Sequence, residues 1–359
     1  MQEKKRGSMK KEIAVLFGGI STEHGISIIS ARSVAHQLDS SKYSLHLIGI
    51  DRHGLMQVFT LKELDEMSEV QSGDIHLRFC HQGSSHAYFW KDQFFPIDVV
   101  FPVLHGLGGE DGWIQGYFDT LGIPYVGSNV EGSSICMNKS VTKAVLKNST
   151  LEQVPFAYYF SNTPIAQIIE DTLSSFSFPV FVKPSHGGSS IGISKCKRKE
   201  DLEKCIENAF SFDREIIIEQ GIQGREIECS VLGGYKDIRA SVPGEIIPLR
   251  EFYDYEAKYI EASTKLVIPA QLPSEFIKKI QEQACYIFQH LRCYGMARVD
   301  FFIENESHKI YLNEVNTIPG FTSISMYPKL WEASGLQYTD LLDELIRLAI
   351  QRRFSYNYG

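Results

Sequence analysis

The stretch RVDFFIENESHKIYLNEVN, residues 298–316, predicts a β-hairpin in which a polar turn joins two strand-like runs. Because side chains alternate between the two faces of a strand, Arg298, Asp300 and Phe302 share one face. If even-numbered residues pair across the hairpin, four residues of the second strand join that face: Ile310, Leu312, Glu314 and Asn316. The opposite face, which includes Tyr311, is mostly apolar and is predicted to be core.

The even-numbered face is divided along its length. One end is apolar, and the other gathers two carboxylates, a carboxamide oxygen and a guanidinium. Mg²⁺ prefers such oxygen ligands and usually completes its shell with water and substrate phosphates. An apolar end for a base and an oxygen-rich end for a metal phosphate indicate a bound nucleotide. The alternative, a surface salt bridge between Arg298 and the acids, explains the charges but not their apolar neighbours.

Length and composition limit the class of protein. The chain has 359 residues, of which 43% are hydrophobic and 22% charged. These values suit a soluble globular protein of roughly two to three domains and argue against a largely disordered chain. The net charge is −8, so the chain lacks the basic excess that nucleic-acid binding uses.

The cysteines and the apolar runs indicate a cytoplasmic protein. The seven cysteines are scattered without a C-x-x-C motif, which predicts reduced thiols rather than a disulfide framework or a zinc cluster. Residues 1–10 form a predicted flexible tail, and the apolar run after it, residues 13–17, is too short for a signal peptide or a membrane span. We therefore expect no membrane partner.

Three domains are predicted after the tail, at residues 11–128, 129–218 and 219–359. The first alternates strand-like runs with helical patterns, which predicts a parallel α/β sheet, and its irregular polar stretch 52–95 suggests an insertion. The second and third are predicted to contain a helix at 131–148, strands at 178–184, 214–219 and 226–234, and helices at 198–211, 273–292 and 338–353.

The segment VKPSHGGSSIG, residues 182–192, is a candidate phosphate loop. Lys183 ends a strand, and the glycines after it permit a close backbone approach to an anion. A flexible hairpin turn explains this motif equally well. Lys139, in the helix predicted at 131–148, is either a second phosphate lysine or a solvated charge. The absence of a P-loop and of G-x-G-x-x-G disfavours P-loop NTPases and dinucleotide-dependent oxidoreductases.

Other segments also suggest a ligand site. HGLGGEDGWIQG, residues 105–116, precedes a helix whose N-terminus would favour Glu110 and Asp111 as caps, but capping does not explain His105 or the five glycines. FYDYEAKYIEAST, residues 252–264, is a candidate lid, or alternatively an edge strand with surface tyrosines. The acids that flank QGIQGR, residues 220–225, could hold a ribose or belong to a polar turn.

Together and in order, these motifs resemble those of the D-alanine–D-alanine ligases of the ATP-grasp superfamily. The resemblance covers nearly the whole chain: LFGGISTEHGIS (16–27), HGLGGEDGWIQG, FVKPSHGGSSIGI (181–193), YDYEAKY (253–259) and the hairpin with its continuation NTIPGFTSISM (316–326). It implies an α/β protein of three domains, with an N-terminal parallel-sheet, Rossmann-like domain and two α+β domains that sandwich ATP.

The resemblance also implies residue roles. The ligands of two Mg²⁺ (or Mn²⁺) ions would be Asp300, Glu314 and Asn316. The residues that contact ATP would be Lys139, Lys183, Gly188, Ser190, Glu219, Ile222, Glu226 and Phe302. The first-substrate site would contain Glu23, His105 and Arg298. Lys258 and Ser325 would hold phosphate and the carboxylate of the second substrate, near Met326. The remaining catalytic contacts would come from a hydrogen-bonded set of Glu23, Ser189 and Tyr259, and from an oxyanion site formed by Arg298 and the Gly320 N–H.

The implied reaction joins two D-alanines for peptidoglycan precursor synthesis. ATP would convert the first D-alanine to an acyl phosphate, which the amine of the second would attack. A homodimer in the cytoplasm is implied as well.

Some positions depart from the commonest family pattern, and other functions stay open. His186 precedes the glycines where an acid is common, Gln220 stands where many members have Lys, and Met326 replaces a common Leu. The alternatives are a D-alanine–D-lactate or D-alanine–D-serine ligase, another ATP-grasp carboxylate–amine ligase, and a catalytically silent ATP-binding protein. Tyr259 within EAKY favours D-alanine as the second substrate, and the retained Arg298, metal ligands and lysines disfavour a silent protein.

Overall fold

The computed structural model describes residues 10–83, 85–188, 191–248 and 264–355. It contains both strands and helices, and most of the strands belong to three larger sheets. Within these ranges, none of the helices is long and apolar enough to cross a bilayer.

The first sheet is built around a strand that is buried on both faces. β1 (Lys11–Gly18) lies between β2 (Tyr43–Ile50) and β7 (Val99–Pro102), both parallel to it, and β3 (Met56–Phe59) pairs antiparallel with β2. Alternate residues of β1 enter two cores, one against α1 (His24–Gln37) and the other against α3 (Trp113–Thr120). The predicted parallel α/β sheet is therefore confirmed.

The prediction that residues 52–95 are irregular was wrong. This stretch contains β3, the short helix α2 (Leu61–Glu66), and an antiparallel sheet of β4 (Arg78–Gln82), β5 (Ser85–Trp90) and β6 (Gln93–Pro96). Aromatic side chains hold the small sheet against the core, where the rings of Tyr88 and Phe95 stack at 5.0 Å. These strands are short and partly polar, so the sequence does not show the alternation of apolar and polar residues that identifies a strand.

The second sheet is antiparallel, with the order β11-β10-β12-β9. Its strands are β9 (Phe156–Phe160), β10 (Val180–Pro184), β11 (Ser194–Cys196) and β12 (Glu215–Gln220). α6 (Ile165–Ser175) and α7 (Lys199–Phe210) share its core. The single helix predicted at 131–148 is instead two helices, α4 (Val130–Met137) and α5 (Lys139–Val145), because Asn138 adopts a non-helical conformation with φ −91° and ψ 106°.

The third sheet has the order β16-β15-β13-β17-β18-β8. Its strands are β8 (Glu152–Gln153), β13 (Gly224–Gly233), β15 (Gly244–Pro248), β16 (Thr264–Val267), β17 (Gly295–Glu304) and β18 (Ile310–Asn316), with β14 (Arg239–Ala240) paired to β13. α8 (Ser274–His290) packs on one face. The other face carries the acidic residues of the predicted hairpin, which β17 and β18 form.

The two C-terminal helices connect the third sheet to the first. α9 (Met326–Ala333) follows the loop after β18, and α10 (Tyr338–Ser355) comes next. Leu341, Leu342 and Leu345 of α10 are buried in the same apolar cluster as Ile13 and Val15 of β1. The C-terminal helix therefore completes a core of the N-terminal sheet, although it lies in the range predicted for the C-terminal domain.

Candidate active site

Acidic residues from three adjacent strands lie on one face of the third sheet. Glu228 of β13 is opposite Asp300 of β17, which is opposite Glu314 of β18. Arg298 donates two hydrogen bonds of 2.8 and 2.7 Å to Asp300 and lies 3.1 Å from Glu228. Asn316 Nδ2 donates to Asp300 Oδ2 at 3.0 Å. The structure thus brings the charged and carboxamide groups predicted from the hairpin together.

The pairing of even-numbered residues extends over only half of the hairpin. The register shifts between Asp300 and Phe301, so Phe302 is opposite Tyr311 rather than Leu312. Leu312 and Ile310 consequently belong to the core beneath the sheet. The prediction that these two residues share the face of Phe302 was wrong, because a β-bulge reverses the facing of all residues beyond it.

The oxygen groups on this face fit a divalent metal ion. Asp300 and Glu314 provide carboxylates and Asn316 a carboxamide oxygen, the ligand type that Mg²⁺ prefers. Among the described residues, no cluster of three or more His, Cys, Asp or Glu side chains could hold a metal by itself. The set therefore suits an ion that takes further ligands from phosphate oxygens and water.

Two lysines bind a single buried carboxylate beside the second sheet. Lys183 Nζ lies 2.6 Å from one oxygen of Glu219, and Lys143 Nζ lies 2.8 Å from the other. Burial alone would raise the pKa of Glu219, but the two lysines lower it to about 2. The same carboxylate raises the pKa of Lys183 against the effect of burial. Glu219 thus pairs with the predicted phosphate lysine, with one positive charge in excess.

The predicted phosphate loop is anchored from the second sheet. His186 Nδ1 lies 2.9 Å from Asp213, whose carboxylate also accepts the His186 backbone N–H at 2.7 Å. The hydrogen bond to Asp213 raises the pKa of His186. Lys139 Nζ donates to the Gly187 carbonyl at 2.6 Å and lies 3.8 Å from Glu314. Asp213 thus anchors the loop through both the backbone and the ring of His186.

The glycine loop and the acidic face line one small cavity. It has a volume of about 20 Å³ and lies between the second and third sheets. Its polar walls come from both sides: Glu110, Lys139, Gly187, Gly188, Glu314 and Asn316. A lysine, the backbone of two glycines and metal-type ligands therefore converge on one point, as phosphoryl transfer requires.

Glu23 is buried at the N-terminal end of α1, where two glycines make room for it. A Cβ atom at Gly106 would lie 2.7 Å from Glu23 Oε2, and one at Gly188 would lie 2.9 Å from it. The carboxylate is thus held against backbone of both the HGLGGEDG segment and the phosphate loop. This placement requires small residues at both positions.

The HGLGGEDG segment contributes the buried side chain of His105 and the half-buried side chain of Glu110. His105 Nδ1 lies 3.0 Å from the Ile318 carbonyl, and its Nε2 lies 3.1 Å from Ser30 Oγ. Glu110 accepts backbone N–H groups from Gly106 at 3.0 Å and Ile318 at 3.3 Å. Burial, together with the charge of Glu23, raises the pKa of Glu110 to about 8.

Gly112 is the N-cap residue of the following helix, and of the two acids expected to cap it only Asp111 bonds to its first turn. Asp111 accepts the Trp113 N–H at 3.0 Å and the Gly108 N–H at 2.7 Å. The Glu110 side chain points instead to Gly106 and Ile318, so its predicted role as a cap was wrong.

The loop after β18 carries the predicted second-substrate residues. Ser325 Oγ accepts the Thr322 N–H at 3.0 Å, and a Cβ atom at Gly320 would lie 2.6 Å from that hydroxyl. The Met326 side chain is buried with Ile246 and Leu330. Because that side chain is buried, any contact of Met326 with a substrate would come from its backbone at the start of α9. The Ser325 side chain makes no capping hydrogen bond to this helix.

The residues predicted to surround adenosine lie where the second sheet passes into the third. Ile222 is half-buried between β12 and β13, and Glu226 is opposite Phe302. Gln220 binds the backbone of Ser177 through both ends of its carboxamide, at 3.0 and 2.7 Å. Gln220 thus holds the segment between α6 and β10 against β12.

Four predicted site residues lie outside the described residues: Ser189, Ser190, Lys258 and Tyr259. The candidate lid, apart from Thr264 at the start of β16, also lies outside them. Their proposed roles stay predictions.

Three residues of this site were missed as site residues in the sequence: Lys143, Glu228 and Ser30. The spacing of four from Lys139 to Lys143 and the alternation from Glu226 to Glu228 are signals that could have found the first two. Ser30 gave no such signal, because its partner His105 is distant in sequence.

An antiparallel second sheet and a mostly antiparallel third sheet, which direct a lysine-bearing glycine loop and an acidic sheet face at one point, define the ATP-grasp class of ligases. Sequence comparison agrees: residues 12–128 match the family described as D-ala D-ala ligase N-terminus, and residues 145–347 match D-ala D-ala ligase C-terminus. The D-alanine--D-alanine ligase of Caldicellulosiruptor bescii is 49% identical over 96% of both chains. That of Clostridium acetobutylicum is 45% identical over 96% of this chain and 99% of its own.

Solved structures are similar over the same extent. The D-alanine-D-alanine ligase from Coxiella burnetii matches with a TM-score of 0.85 and 36% identity over 96% of this chain and 95% of that one. The VanG D-Ala:D-Ser ligase from Enterococcus faecalis matches with a TM-score of 0.84 and 35% identity over 95% and 100%. The chain belongs to the D-alanine–D-alanine ligase family. It is an ATP-dependent ligase of a family that also uses divalent metal ions.

Proposed function

We propose that the protein joins two D-alanine molecules to D-alanyl-D-alanine, forming ADP and phosphate, for peptidoglycan precursor synthesis. The observation that carries this proposal is the convergence of Lys139, Gly188 and Glu314 on one cavity, with Arg298 on the same strand face as Glu314. Relatives at 41–49% identity over nearly the full chain support the same substrate.

The first step transfers phosphate to the first D-alanine. A carboxylate oxygen of D-alanine attacks the γ-phosphorus of ATP, the bond to the β-phosphate oxygen breaks, and ADP leaves. Glu23 binds the ammonium group of D-alanine, since it supplies a buried carboxylate beside the phosphate loop. Lys139 and Lys183 stabilise the phosphates, and Glu219 holds Lys183 in place.

The second step forms the peptide bond. The amine of the second D-alanine attacks the acyl carbon and loses a proton, and phosphate leaves with the acyl-oxygen bond electrons. Arg298, held by Asp300 and Glu228, and the Gly320 N–H stabilise the oxyanion. Ser325 and the first turn of α9 bind the carboxylate of the second substrate.

Asp300, Glu314 and Asn316 would hold two Mg²⁺ (or Mn²⁺) ions. When bound, the metal neutralises charge on the transferring phosphoryl group. Two observations support these ligands: all three carry oxygen donors, and they lie on the same face of the sheet formed by β17 and β18.

D-Alanyl-D-serine synthesis is the second candidate, because a D-Ala:D-Ser ligase is 35% identical with nearly the same fold. We favour D-alanine as the second substrate because the sequence relatives at higher identity, 49% and 45%, are D-alanine--D-alanine ligases. We further propose a cytoplasmic homodimer. The seven free thiols support the compartment.

Changing Glu314 to Ala tests the metal assignment. We expect ligase and D-alanine-dependent ATPase turnover to fall by ~10³-fold or more, because the change removes a ligand of the ion that offsets phosphoryl charge. Turnover is measured as ADP release with Mg²⁺, and circular dichroism reports the fold. Glu304→Ala, on the same hairpin near its turn, is the control and should retain turnover. Near-normal turnover of Glu314→Ala would refute the assignment.

A further inference from the structure

His105 joins the N-terminal sheet to the loop after β18 through both of its ring nitrogens. Nδ1 lies 3.0 Å from the Ile318 carbonyl oxygen, and Nε2 lies 3.1 Å from the hydroxyl of Ser30 on α1. The ring is buried and also lines a mostly apolar cavity of about 250 Å³ between β1 and α3. Both polar atoms of the imidazole are therefore engaged by protein groups.

These partners determine which nitrogen carries the proton. A carbonyl oxygen only accepts hydrogen bonds, so Nδ1 must donate to Ile318. In the neutral ring Nε2 is then an acceptor, to which the Ser30 hydroxyl donates a hydrogen bond. Burial lowers the pKa of His105, which agrees with a neutral ring. The Ser30 oxygen in turn accepts the Phe321 N–H at 3.4 Å.

The same loop is held at two further backbone groups. Glu110 accepts the Ile318 N–H at 3.3 Å, so both polar backbone groups of Ile318 are bound by residues 105–110. The hydroxyl of Tyr338 donates to the Phe321 carbonyl at 2.8 Å. Four hydrogen bonds thus fix the backbone of Ile318 and Phe321, the residues on either side of Pro319 and Gly320.

The segment of residues 318–321 connects two parts of the proposed site. It begins two residues after Asn316, a proposed metal ligand, and ends four residues before Ser325. Gly320, the proposed oxyanion donor, lies inside it. A shift of this backbone would move the Gly320 N–H away from the reacting carbonyl.

We propose that Ser30 and His105, with Glu110, are positioning residues that fix the backbone of residues 318–321 for the peptide-forming step, and that His105 acts through this loop rather than by contact with the first D-alanine. This inference rests on the proposed function. It assigns to His105 a different role from the one the family resemblance implies.

The test compares two substitutions, each of which places an amide near the position of one ring nitrogen of His105. His105→Asn keeps an amide N–H near the Nδ1 position, whereas His105→Gln places its amide near Nε2 and loses the donor to Ile318. Because displaced catalytic groups cost ~10²-fold, we expect His105→Gln to slow dipeptide formation by ~10- to 100-fold and His105→Asn by at most ~10-fold. Phosphate release should exceed dipeptide formation in His105→Gln, since water then competes for the acyl phosphate.

Substrate binding separates the positioning role from direct contact. The dissociation constant of D-alanine, measured with Mg²⁺ and a non-hydrolysable ATP analogue, should stay within about threefold of wild type in both variants, which is under ~1 kcal/mol. Ser30→Ala removes the hydroxyl that contacts Phe321 and His105. It should likewise release more phosphate than it forms dipeptide. The double variant Ser30→Ala/His105→Gln should be little worse than His105→Gln alone, because the two residues act in one network.

His36→Gln is the matched control, since this exposed histidine lies in the last turn of α1, with its Nε2 2.8 Å from Asp65 Oδ1. It should leave every rate unchanged. Weaker D-alanine binding in both His105 variants, with one dipeptide per phosphate, would overturn the proposal and favour direct substrate contact. If wild-type protein forms no D-alanyl-D-alanine, the proposed function fails instead, so the two failures are distinguishable.

Discussion

The carboxylate of Glu219 shows how a single residue organises the phosphate side of the site. It is buried between Lys143 and Lys183, and both lysines lie within 2.8 Å of it. The sequence predicted Lys183 and Glu219 as ligand-binding residues, but not their pairing with each other. The sequence pattern of one strand indicates which side chains share a face of the sheet. These ion pairs instead depend on α5, β10 and β12, which come together only in the fold.

We predict that Glu219→Gln destabilises the protein by ~3–5 kcal/mol near neutral pH, because two buried lysines lose their counter-charge. The pKa of Glu219 is lowered from 4.5 to about 2 in the folded protein, so its contribution is present above pH 4.5 and is lost as the pH falls towards 2. The difference in unfolding free energy between wild type and variant, measured by urea denaturation, should therefore shrink by ~3 kcal/mol over that window.

Glu282→Gln provides the control for that experiment. Its partner Lys278 lies 3.7 Å away on the exposed face of α8, and exposed pairs contribute under ~1 kcal/mol. Its variant should show the wild-type pH dependence. If the unfolding free energy of Glu219→Gln also showed the wild-type pH dependence, the ion pairs of Glu219 with Lys143 and Lys183 would be contradicted.

At the scale of elements, the break between α4 and α5 sets the position of Lys139. Asn138 ends one helix and caps the next, where its Oδ1 accepts the Val141 N–H at 3.0 Å. Its Nδ2 contacts Glu215 at 3.1 Å and His186 at 3.0 Å. One side chain thus connects a helix end, a strand and the phosphate loop, and Lys139 becomes the first residue of α5.

We predict that Asn138→Ala lowers the free energy of unfolding by ~2 kcal/mol, through the lost cap and the lost hydrogen bond to the buried Glu215 carboxylate. It should also raise the KM for ATP by roughly three- to tenfold, because up to ~1.4 kcal/mol of phosphate contact is lost as Lys139 and His186 shift. Steady-state kinetics and chemical denaturation measure the two effects.

Thr60→Ala is the matched control, because Thr60 caps α2 through the Glu63 N–H at 3.2 Å, in the N-terminal part of the chain. It should cost ~1 kcal/mol of stability and leave the KM for ATP unchanged. Equal effects of the two variants on KM would argue that Asn138 is only a helix cap.

The strands and long helices could be predicted from their periods, and the hairpin of β17 and β18 was found from alternation alone. Its bulge after Asp300 could not be, since register depends on packing against β13 and α8 as well as on the hairpin itself. The helix break at Asn138 was hidden for a similar reason. Asparagine is tolerated within helices, and the contacts that favour the break come from Glu215 and His186.

For the whole molecule, the arrangement of the three sheets brings the site together. The acidic face of the third sheet and the glycine loop of the second line one cavity, to which Glu110 of the N-terminal part also contributes. α10 packs into a core of the first sheet, so the C-terminal helix ties the third sheet to the first. Such contacts join segments hundreds of residues apart, and local patterns do not contain them.

Family resemblance supplied what local patterns could not. It indicated that Glu23, His105 and Arg298 belong to one site, although they lie far apart in sequence. The structure brings Glu23 against Gly106, the residue after His105, and joins the His105 segment to the loop after β18. The contacts of individual side chains, such as Glu110 with Ile318, became visible only in the fold.

The most direct test of the central claim is the product formed from ATP, Mg²⁺ and amino acids by the purified protein, identified by mass together with phosphate release. Separate reactions would contain D-alanine, D-alanine with D-serine or D-lactate, L-alanine, and no amino acid. We predict phosphate release that requires D-alanine, with one D-alanyl-D-alanine formed per phosphate and preferred over either mixed product. A preferred mixed product, or no D-alanine-dependent release despite ATP binding, would contradict the proposed function.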